Sequence, residues 1–219
     1  MVRSVLVLSV VMASVGVLAD EANMKLLQGT QVVGSGKLFH QVKKNGESEF
    51  QVLMTIQSSA GPYVLKQIDR YDAKARPIES NTTDESAGIR TTRTYQFQKD
   101  YLLATVTANG KTTSNKVPYP KGKSIIRTSQ RWFFSEMPLP GSVSREVVYQ
   151  GDKWVDRISR YIGLKDIQIG DKKVKAYELV DRKADGTDEV RQWVDRKGMP
   201  LRMEFTSGGA KLTLERESL

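Results

Sequence analysis

Cysteine is missing from the 219-residue sequence, and histidine occurs only once, as His40. The absence of cysteine excludes disulfide bonds, thiolate metal sites, a cysteine nucleophile and a lipid-modified N-terminal cysteine. A zinc site built from nitrogen and sulfur ligands has no ligand set here. We therefore expect no metal and no cofactor, and a fold that depends on its hydrophobic core for stability.

Familiar catalytic motifs are also absent. The sequence has no Gly-x-Ser-x-Gly elbow, phosphate-binding loop or dinucleotide fingerprint. As a catalytic base, His40 would need a nucleophile and an orienting acid, and the sequence indicates neither. Most carboxylates lie in charge-mixed stretches that are typical of turns and surfaces: Asp69 and Asp72, Asp84 and Glu85, Asp181 and Asp185, and Asp188 and Glu189. We expect a protein that is not an enzyme.

The one long apolar run lies at the N-terminus. Arg3 is followed by apolar and small residues from Val5 to Leu18, and Ala19 precedes Asp20. This pattern is typical of a cleaved secretory signal peptide, whereas the alternative, a membrane anchor, needs about twenty apolar residues. We predict a signal peptide over residues 1–19, a single domain over residues 20–219, no spanning segment after cleavage, and a periplasmic location.

Basic residues outnumber acidic ones. The net charge of the whole chain is +9, and removal of Arg3 with the signal peptide leaves 33 basic and 25 acidic side chains, a net charge of +8. Such an excess favours anionic partners such as lipid head groups, acidic glycans or nucleic acid. The charges are mixed along the chain, which also fits a solvated surface. The export signal and the lack of a nucleic-acid-binding pattern argue against nucleic acid.

Apolar and polar residues alternate over most of the chain, which is the period of strands with one buried face. Phe50, Val52, Met54 and Ile56 share one such face. About a dozen strands are expected, over residues 31–42, 50–56, 63–71, 89–98, 101–108, 111–117, 143–150, 153–162, 172–180, 190–195, 201–206 and 211–216. Tight turns between them predict a mainly β fold, a curved antiparallel meander or half-barrel of about 10–12 strands.

One segment departs from this alternation. Residues 124–137 carry apolar side chains at three- and four-residue steps, and two prolines follow. The pattern predicts one amphipathic helix that covers the sheet. Trp132, Phe133 and Phe134 are consecutive, so on a helix they spread over about 200° and cannot all face the sheet.

The spacing Asp-x-Lys-x-x-Pro occurs twice, from Asp72 to Pro77 and from Asp195 to Pro200. In both copies the aspartate ends a predicted strand, the lysine lies in the turn, and the proline begins the next strand, where it forfeits no interior ladder hydrogen bond. Two similar hairpins are the simplest interpretation. The alternative is a binding role common to both copies.

The second half of the chain resembles a known group of proteins. The stretches "SIIRTSQRWFFSEMPLPGSVSREVVYQGDKWVDRISRYIG", "VKAYELVDR" and "EVRQWVDRKGMPLRMEF" contain a helix before a Pro-x-Pro-Gly turn, a strand with Lys-Ala-Tyr-Glu-Leu, and a closing hairpin. In these features residues 120–217 resemble periplasmic half-barrel domains that are related in shape to the lipoprotein carriers LolA and LolB. The resemblance implies a curved sheet whose apolar concave face is covered by a helix and can take acyl chains. The missing N-terminal cysteine argues against the membrane-anchored type.

The leading hypothesis is a periplasmic, non-enzymatic binding or carrier module for a lipid, a lipoprotein acyl chain or another amphiphile. The candidate cavity-wall residues, chosen by alternation, are Phe50, Val52, Met54, Ile56, Trp132, Phe133, Trp154, Trp193, Met203 and Phe205. One alternative is a structural or interaction protein of the envelope that has no small-molecule ligand and engages other envelope proteins. Another is a hydrolase, which would need two carboxylates within roughly 5 to 10 Å of each other.

Overall fold

The computed structural model of the chain describes residues 18–57, 61–123, 125, 133, 136–207 and 209–219. Strands account for most of these residues. They are β1 (Leu18–Gln28), β2 (Gln31–Val42), β3 (Ser48–Ile56), β4 (Tyr63–Tyr71), β5 (Pro77–Ser86), β6 (Ile89–Phe97), β7 (Tyr101–Ala108), β8 (Lys111–Pro118), β9 (Val143–Gln150), β10 (Lys153–Ile169), β11 (Lys172–Lys183), β12 (Val190–Val194), β13 (Pro200–Ser207) and β14 (Ala210–Arg216).

All fourteen strands belong to one sheet, in the order β8-β7-β6-β5-β4-β3-β2-β1-β14-β13-β12-β11-β10-β9. Except for β8 and β9, strands that are consecutive along the chain are neighbours in the sheet, and every strand pairing is antiparallel, so the predicted meander is confirmed. The first and last strands meet in the middle, where Leu26 pairs with Leu214. Strands β8 and β9 form the two ends, with no ladder between them in the described part of the chain.

Two strands were not predicted. β1 begins inside the predicted signal peptide, most of which lies outside the described residues; Leu18 and Ala19 pair with Val42 and Gln41. β5 is polar and lacks apolar alternation, although its threonines suit a pleated strand. Asp84, predicted to lie in a turn, therefore lies in a strand.

The two faces of the sheet carry different side chains, because alternate residues of a strand point to opposite faces. One face, here called the inner face, carries the largest core cluster, in which Met24, Leu26 and Leu38 are at most 1% exposed. Leu212 and Leu214 extend this core onto β14. Leu53, on the opposite or outer face of β3, is 45% exposed. The core therefore lies on one side of a curved sheet.

The two ends of the sheet overlap. The ladder register places Tyr95 and Ala104 on the inner face, in the row that contains Phe50. It places Tyr149 and Trp154, which pair with each other, on the outer face. These side chains nevertheless share one buried cluster with Leu102, here called the overlap cluster (Tyr95, Leu102, Ala104, Tyr149 and Trp154). Strands β6–β8 therefore lie over the outer face of β9 and β10. The sheet is rolled into a barrel-like shape whose ends are held together by side-chain contacts.

Glycines allow the sheet to curve tightly. A Cβ on Gly34 would lie 2.2 Å from the Thr55 carbonyl oxygen, so only glycine permits this close approach of β2 to β3. In β10 the register shifts between Tyr161 and Gly163, and Gly163 has a φ of 146°. Such bulges bend a strand and increase its twist.

The covering helix predicted over residues 124–137 is not shown, because most of that segment lies outside the described residues. Two described residues near its end can be located. Phe133 is 2% exposed and packs against Tyr161, Leu179 and Val194 of β10–β12. The Met137 N–H donates to the Phe133 carbonyl at 2.7 Å, which is the hydrogen bond of a helical turn.

Candidate functional site: the apolar inner face

Six of the predicted site residues lie together on the inner face. They are half-buried and pack against the main core cluster: Phe50, Val52, Met54 and Ile56 of β3, and Met203 and Phe205 of β13. The intervening strands β2, β1 and β14 supply the buried residues Leu38, Met24, Leu26, Leu212 and Leu214. We call this continuous surface of β3, β2, β1, β14 and β13 the apolar strip. Its centre is sealed by packing, whereas its two margins retain accessible apolar surface.

The size of the apolar strip follows from strand geometry. Five adjacent strands span about 19 Å across the sheet at about 4.8 Å between neighbours. From Phe50 to Ile56, six steps along β3 add roughly 20 Å at about 3.3 Å per residue. Gly34 and Gly36 lie opposite Ile56 and Met54 and leave their places on β2 without side chains. The strip is therefore large enough for an extended hydrocarbon chain.

The remaining predicted residues do not join this group. Trp132 lies outside the described residues. Phe133 lies on the inner face farther along the sheet, with ring centroids 4.6 Å from Tyr161 and 4.9 Å from Tyr177. Trp154 lies in the overlap cluster on the outer face.

Trp193 is also on the outer face. It pairs with Arg202 and packs against Ile169, Ala176 and Leu201 at the far end of the β10–β11 hairpin. Alternation correctly grouped residues within one strand. It could not show which face of β10 or β12 is the inner one.

A polar surface borders the apolar strip on β4, β5 and β6. Its inner-face side chains are Gln67, Asp69, Ser80, Thr82, Asp84 and Arg93. Arg93 forms an ion pair with Asp84, and the Gln67 amide donates to Asp69 Oδ2 at 2.7 Å. The inner face therefore combines a broad apolar area with a hydrogen-bonding margin. The sequence analysis did not predict this margin, because it did not predict strand β5, which lies between β4 and β6.

Asp69 is the most buried carboxylate of this margin, at 8% exposed, although the sequence predicted a turn or surface position for it. Burial raises the pKa of the Asp69 carboxyl, and hydrogen bonds from Ser80 and Gln67 offset part of the increase. Burial disfavours the charged form of a carboxyl relative to its neutral form. The Asp69 carboxyl therefore stays protonated to a higher pH than a solvated aspartate does.

A second polar group lies on the inner face of β9–β11. Arg157, 9% exposed, donates from Nε to Asp181 Oδ1 at 3.0 Å and from Nη1 to Asp188 Oδ2 at 3.2 Å. Burial raises the pKa of Asp181, while the Arg157 charge lowers it and the charge of Asp188 raises it. Asp181, predicted as a turn former, lies in β11. Both carboxylates are held by one guanidinium, which links β10 to β11 and to the connection before β12.

The repeated Asp-x-Lys-x-x-Pro spacing forms the same turn twice. Asp72 Oδ1 accepts hydrogen bonds from the N–H groups of Lys74 and Arg76, both at 2.9 Å. Asp195 Oδ1 accepts from Lys197 at 2.8 Å and from Met199 at 3.0 Å. In both hairpins a register shift precedes the proline pairing. The interpretation as two similar hairpins is confirmed.

The described residues contain no group of three or more histidine, aspartate or glutamate side chains arranged to hold a metal ion. None of the helical segments described is long and apolar enough to cross a membrane. A small outer-face pocket of about 210 Å³ lies between β1, β2 and β3, beside Lys37, Leu53 and Thr55. Its volume is below the roughly 300 to 1,000 Å³ of most ligand sites.

No family model and no curated protein matches the chain. Among solved structures, a β-barrel-like protein of the domain of unknown function DUF1849 from Brucella abortus has 9% sequence identity and a TM-score of 0.55, covering 90% of this chain and 94% of its own. A Bacteroides fragilis protein described as exported, with a YmcC-like fold, has 10% identity and a TM-score of 0.30 over 90% of this chain and 93% of its own. The first comparison shows a β-barrel-like fold over almost the whole chain.

Proposed function

We propose that the protein is a non-enzymatic binding or carrier module of the bacterial periplasm, which holds a lipid, a lipoprotein acyl chain or another amphiphile on the apolar strip. The observation that carries this proposal is the half-buried state of Phe50, Val52, Met54 and Ile56 on the inner face of a rolled sheet. Apolar side chains that stay accessible inside a concave surface are typical of ligand sites.

The chemistry of the inner face favours an amphiphile. Each 100 Å² of apolar surface that a hydrocarbon tail covers contributes about 2.5 kcal/mol. The polar margin, with Gln67, Thr82 and Arg93, lies beside the apolar strip and offers hydrogen bonds to a head group. The resemblance of residues 120–217 to the LolA and LolB half-barrels supports the same function, and the N-terminal signal pattern supports the periplasmic location.

The first experiment is native mass spectrometry with lipid extraction on protein purified gently from its own periplasm. A co-purifying amphiphile in stoichiometric amount is the expected result, and its mass would identify the ligand class. The same preparation then receives a fluorescent fatty-acid probe. An empty protein that also fails to bind the probe would contradict the proposal.

A pair of substitutions on one strand tests the location of the site. Met54→Trp fills the inner face, whereas Leu53→Trp adds the same side chain to the outer face, where Leu53 is 45% exposed. We expect Met54→Trp to weaken probe binding at least tenfold and Leu53→Trp to leave it unchanged. Equal effects of the two variants would place the probe elsewhere.

The second candidate is a structural or interaction protein of the envelope. The edge strand β8 favours it, because nearly all of its residues are exposed and, within the described chain, it pairs only with β7. An exposed edge can accept a strand from a partner protein. This function would be preferred if the protein carries no amphiphile and if proline substitution at Ser114 abolishes capture of an envelope protein.

A further inference from the structure

An exposed apolar patch lies on the connection between β8 and β9, at the start of β9 and on the adjoining part of β10. Its members are Met137, 61% exposed, Leu139, 79%, Val143, 42%, and Leu164, 49%. Large apolar side chains that are exposed singly are common, but four around one turn, from both faces of the sheet, need an explanation. We call these four residues the loop patch.

Backbone hydrogen bonds hold the end of the connection between β8 and β9 against β10. The Gly141 N–H donates to the Tyr161 carbonyl at 2.7 Å, and the Tyr161 N–H donates to the Ser142 carbonyl at 3.1 Å. Pro140 lies 4.0 Å from the place that a Cβ on Gly163 would occupy, which brings the loop beside Leu164. Met137 and Leu139 thus lie in a connection that contains two prolines and is hydrogen-bonded to β10.

Basic side chains surround the loop patch. Arg160 pairs with Val143 across the ladder, Arg145 is two residues from Val143 on the same face, and Lys165 follows Leu164. All three are exposed, and none of them forms an ion pair with another described residue. Each therefore presents its full charge to solvent.

The acidic residues nearby are few. Glu136, next to Met137, is exposed and already interacts with another group of the protein. The Asp166 carboxylate lies 3.4 Å from the Lys173 ammonium. The charge around the loop patch is therefore positive on balance.

We propose that the loop patch and its three basic neighbours dock the protein onto an anionic lipid bilayer. Leu139 and Met137 enter the boundary between head groups and acyl chains, and Arg145, Arg160 and Lys165 contact the head groups. Exposed apolar tips combined with unpaired positive charge are the features of peripheral membrane binding, and basic residues near an anionic surface are attracted to it. The loop patch is separate from the strands β3, β2, β1, β14 and β13 of the apolar strip, so this inference does not depend on a ligand there.

Because the chain has no cysteine, a single introduced cysteine can report on one position. Leu139→Cys, labelled with an environment-sensitive fluorophore, is mixed with vesicles that contain phosphatidylglycerol. We expect a blue shift and an increase in intensity, and a much smaller response with pure phosphatidylcholine vesicles. The matched control is Ile89→Cys, which is 55% exposed at the β5–β6 turn and should not respond.

Co-sedimentation with the same vesicles measures affinity without a label. Leu139→Ser and the double variant Arg145→Glu with Arg160→Glu should each bind at least tenfold more weakly than the unmodified protein, while Ile89→Ser should bind equally well. The altered side chains are exposed, and an unchanged unfolding midpoint would confirm an intact fold. Equal binding by all variants overturns the proposal, as does a labelled Leu139→Cys that does not respond. Concentration-dependent dimerisation that Leu139→Ser abolishes, without vesicle binding, also overturns it in favour of a protein interface.

Discussion

The ring centroids of Tyr95 and Tyr149 lie 5.4 Å apart in an edge-to-face arrangement, although Tyr95 is on the inner face of β6 and Tyr149 is on the outer face of β9. One side of a single sheet thus contacts its other side. Trp154 strengthens the contact, because its indole N–H donates to the Pro118 carbonyl at 3.0 Å and its ring lies 5.3 Å from Tyr149. In the described part of the chain, side-chain contacts rather than a hydrogen-bonded ladder join the two ends of the sheet.

The overlap cluster should therefore contribute strongly to stability. Tyr149 is 8% exposed, and Tyr149→Ala should lower the free energy of unfolding by about 3 kcal/mol, as large-to-small substitutions in a core do. Urea denaturation followed by circular dichroism measures the change. Tyr101→Ala is the control, since the Tyr101 ring contacts the Lys116 ammonium at 4.9 Å on the opposite face of β7 and should cost about 1 kcal/mol or less. An equal loss in both variants would show that the ends of the sheet are not fastened here.

The strands and the rolled shape differ in how far the sequence predicts them. The alternation of Phe50, Val52, Met54 and Ile56 was enough to assign these residues to one face of β3, because that pattern is local. The position of Trp154 depends on contacts between strands that are distant in sequence. A period of two residues is the same for both faces of a strand, so it cannot show which face is concave.

The turns were predictable for the same local reason. The carboxylates of Asp72 and Asp195 accept hydrogen bonds from N–H groups two and four residues later. All the residues that form each turn therefore lie within one short stretch of sequence. The burial of Asp69 was not predictable. Its partners Gln67 and Ser80 come from its own strand and from β5, which has no apolar pattern.

Arg157 should contribute strongly to the stability of the fold through its buried ion pair with Asp181. Arg157→Met leaves the carboxylate of Asp181 buried without its counter-charge, which should lower the free energy of unfolding by about 3–5 kcal/mol. The comparison is Arg76→Met, because Arg76 pairs with Asp72 while its own side chain is 70% exposed, and such pairs contribute about 0–1 kcal/mol. Thermal and urea unfolding of both variants test this. A small effect of Arg157→Met would mean that solvent reaches this cluster.

Asp69 should make stability depend on pH. Since burial raises its folded-state pKa above the unfolded value of about 3.9, the folded state binds the proton more tightly. The stability that this provides is complete below the unfolded pKa and is lost as the pH rises through the folded pKa. Asp69→Asn cannot ionise, so its stability relative to the unmodified protein should increase between about pH 3 and pH 7. Denaturation midpoints across this range measure the difference.

Asp72 supplies the opposite sign as a control. Burial alone would raise the pKa of Asp72, but hydrogen bonds from Arg76 and Lys74 outweigh it and lower the pKa. Its contribution is present above the unfolded pKa and is lost as the pH falls through the folded pKa. Asp72→Asn should therefore lose stability relative to the unmodified protein as the pH rises. Parallel slopes for the two variants would contradict the assignment of Asp69 to a buried site.

Gly34 and Gly36 offer a matched test of the curvature that forms the apolar strip. Both lie on the inner face of β2, two residues apart, and neither has a positive φ. A Cβ on Gly34 would lie 2.2 Å from the backbone oxygen of Thr55, which cannot move without disturbing the ladder between β2 and β3. A Cβ on Gly36 would lie 3.3 Å from a terminal methyl carbon of Leu214, and this side chain can rotate away.

We therefore expect Gly34→Ala to lower the free energy of unfolding by about 1–3 kcal/mol, the usual cost of overpacking. Gly36→Ala should cost clearly less, because a flexible side chain absorbs the added methyl group. The same pair tests the site: if the bend at Gly34 shapes the apolar strip, Gly34→Ala should weaken binding of the fatty-acid probe even under conditions where it is fully folded. Equal stability losses would indicate that β2 can shift away from β3, and unchanged probe binding would show that the bend does not shape the site.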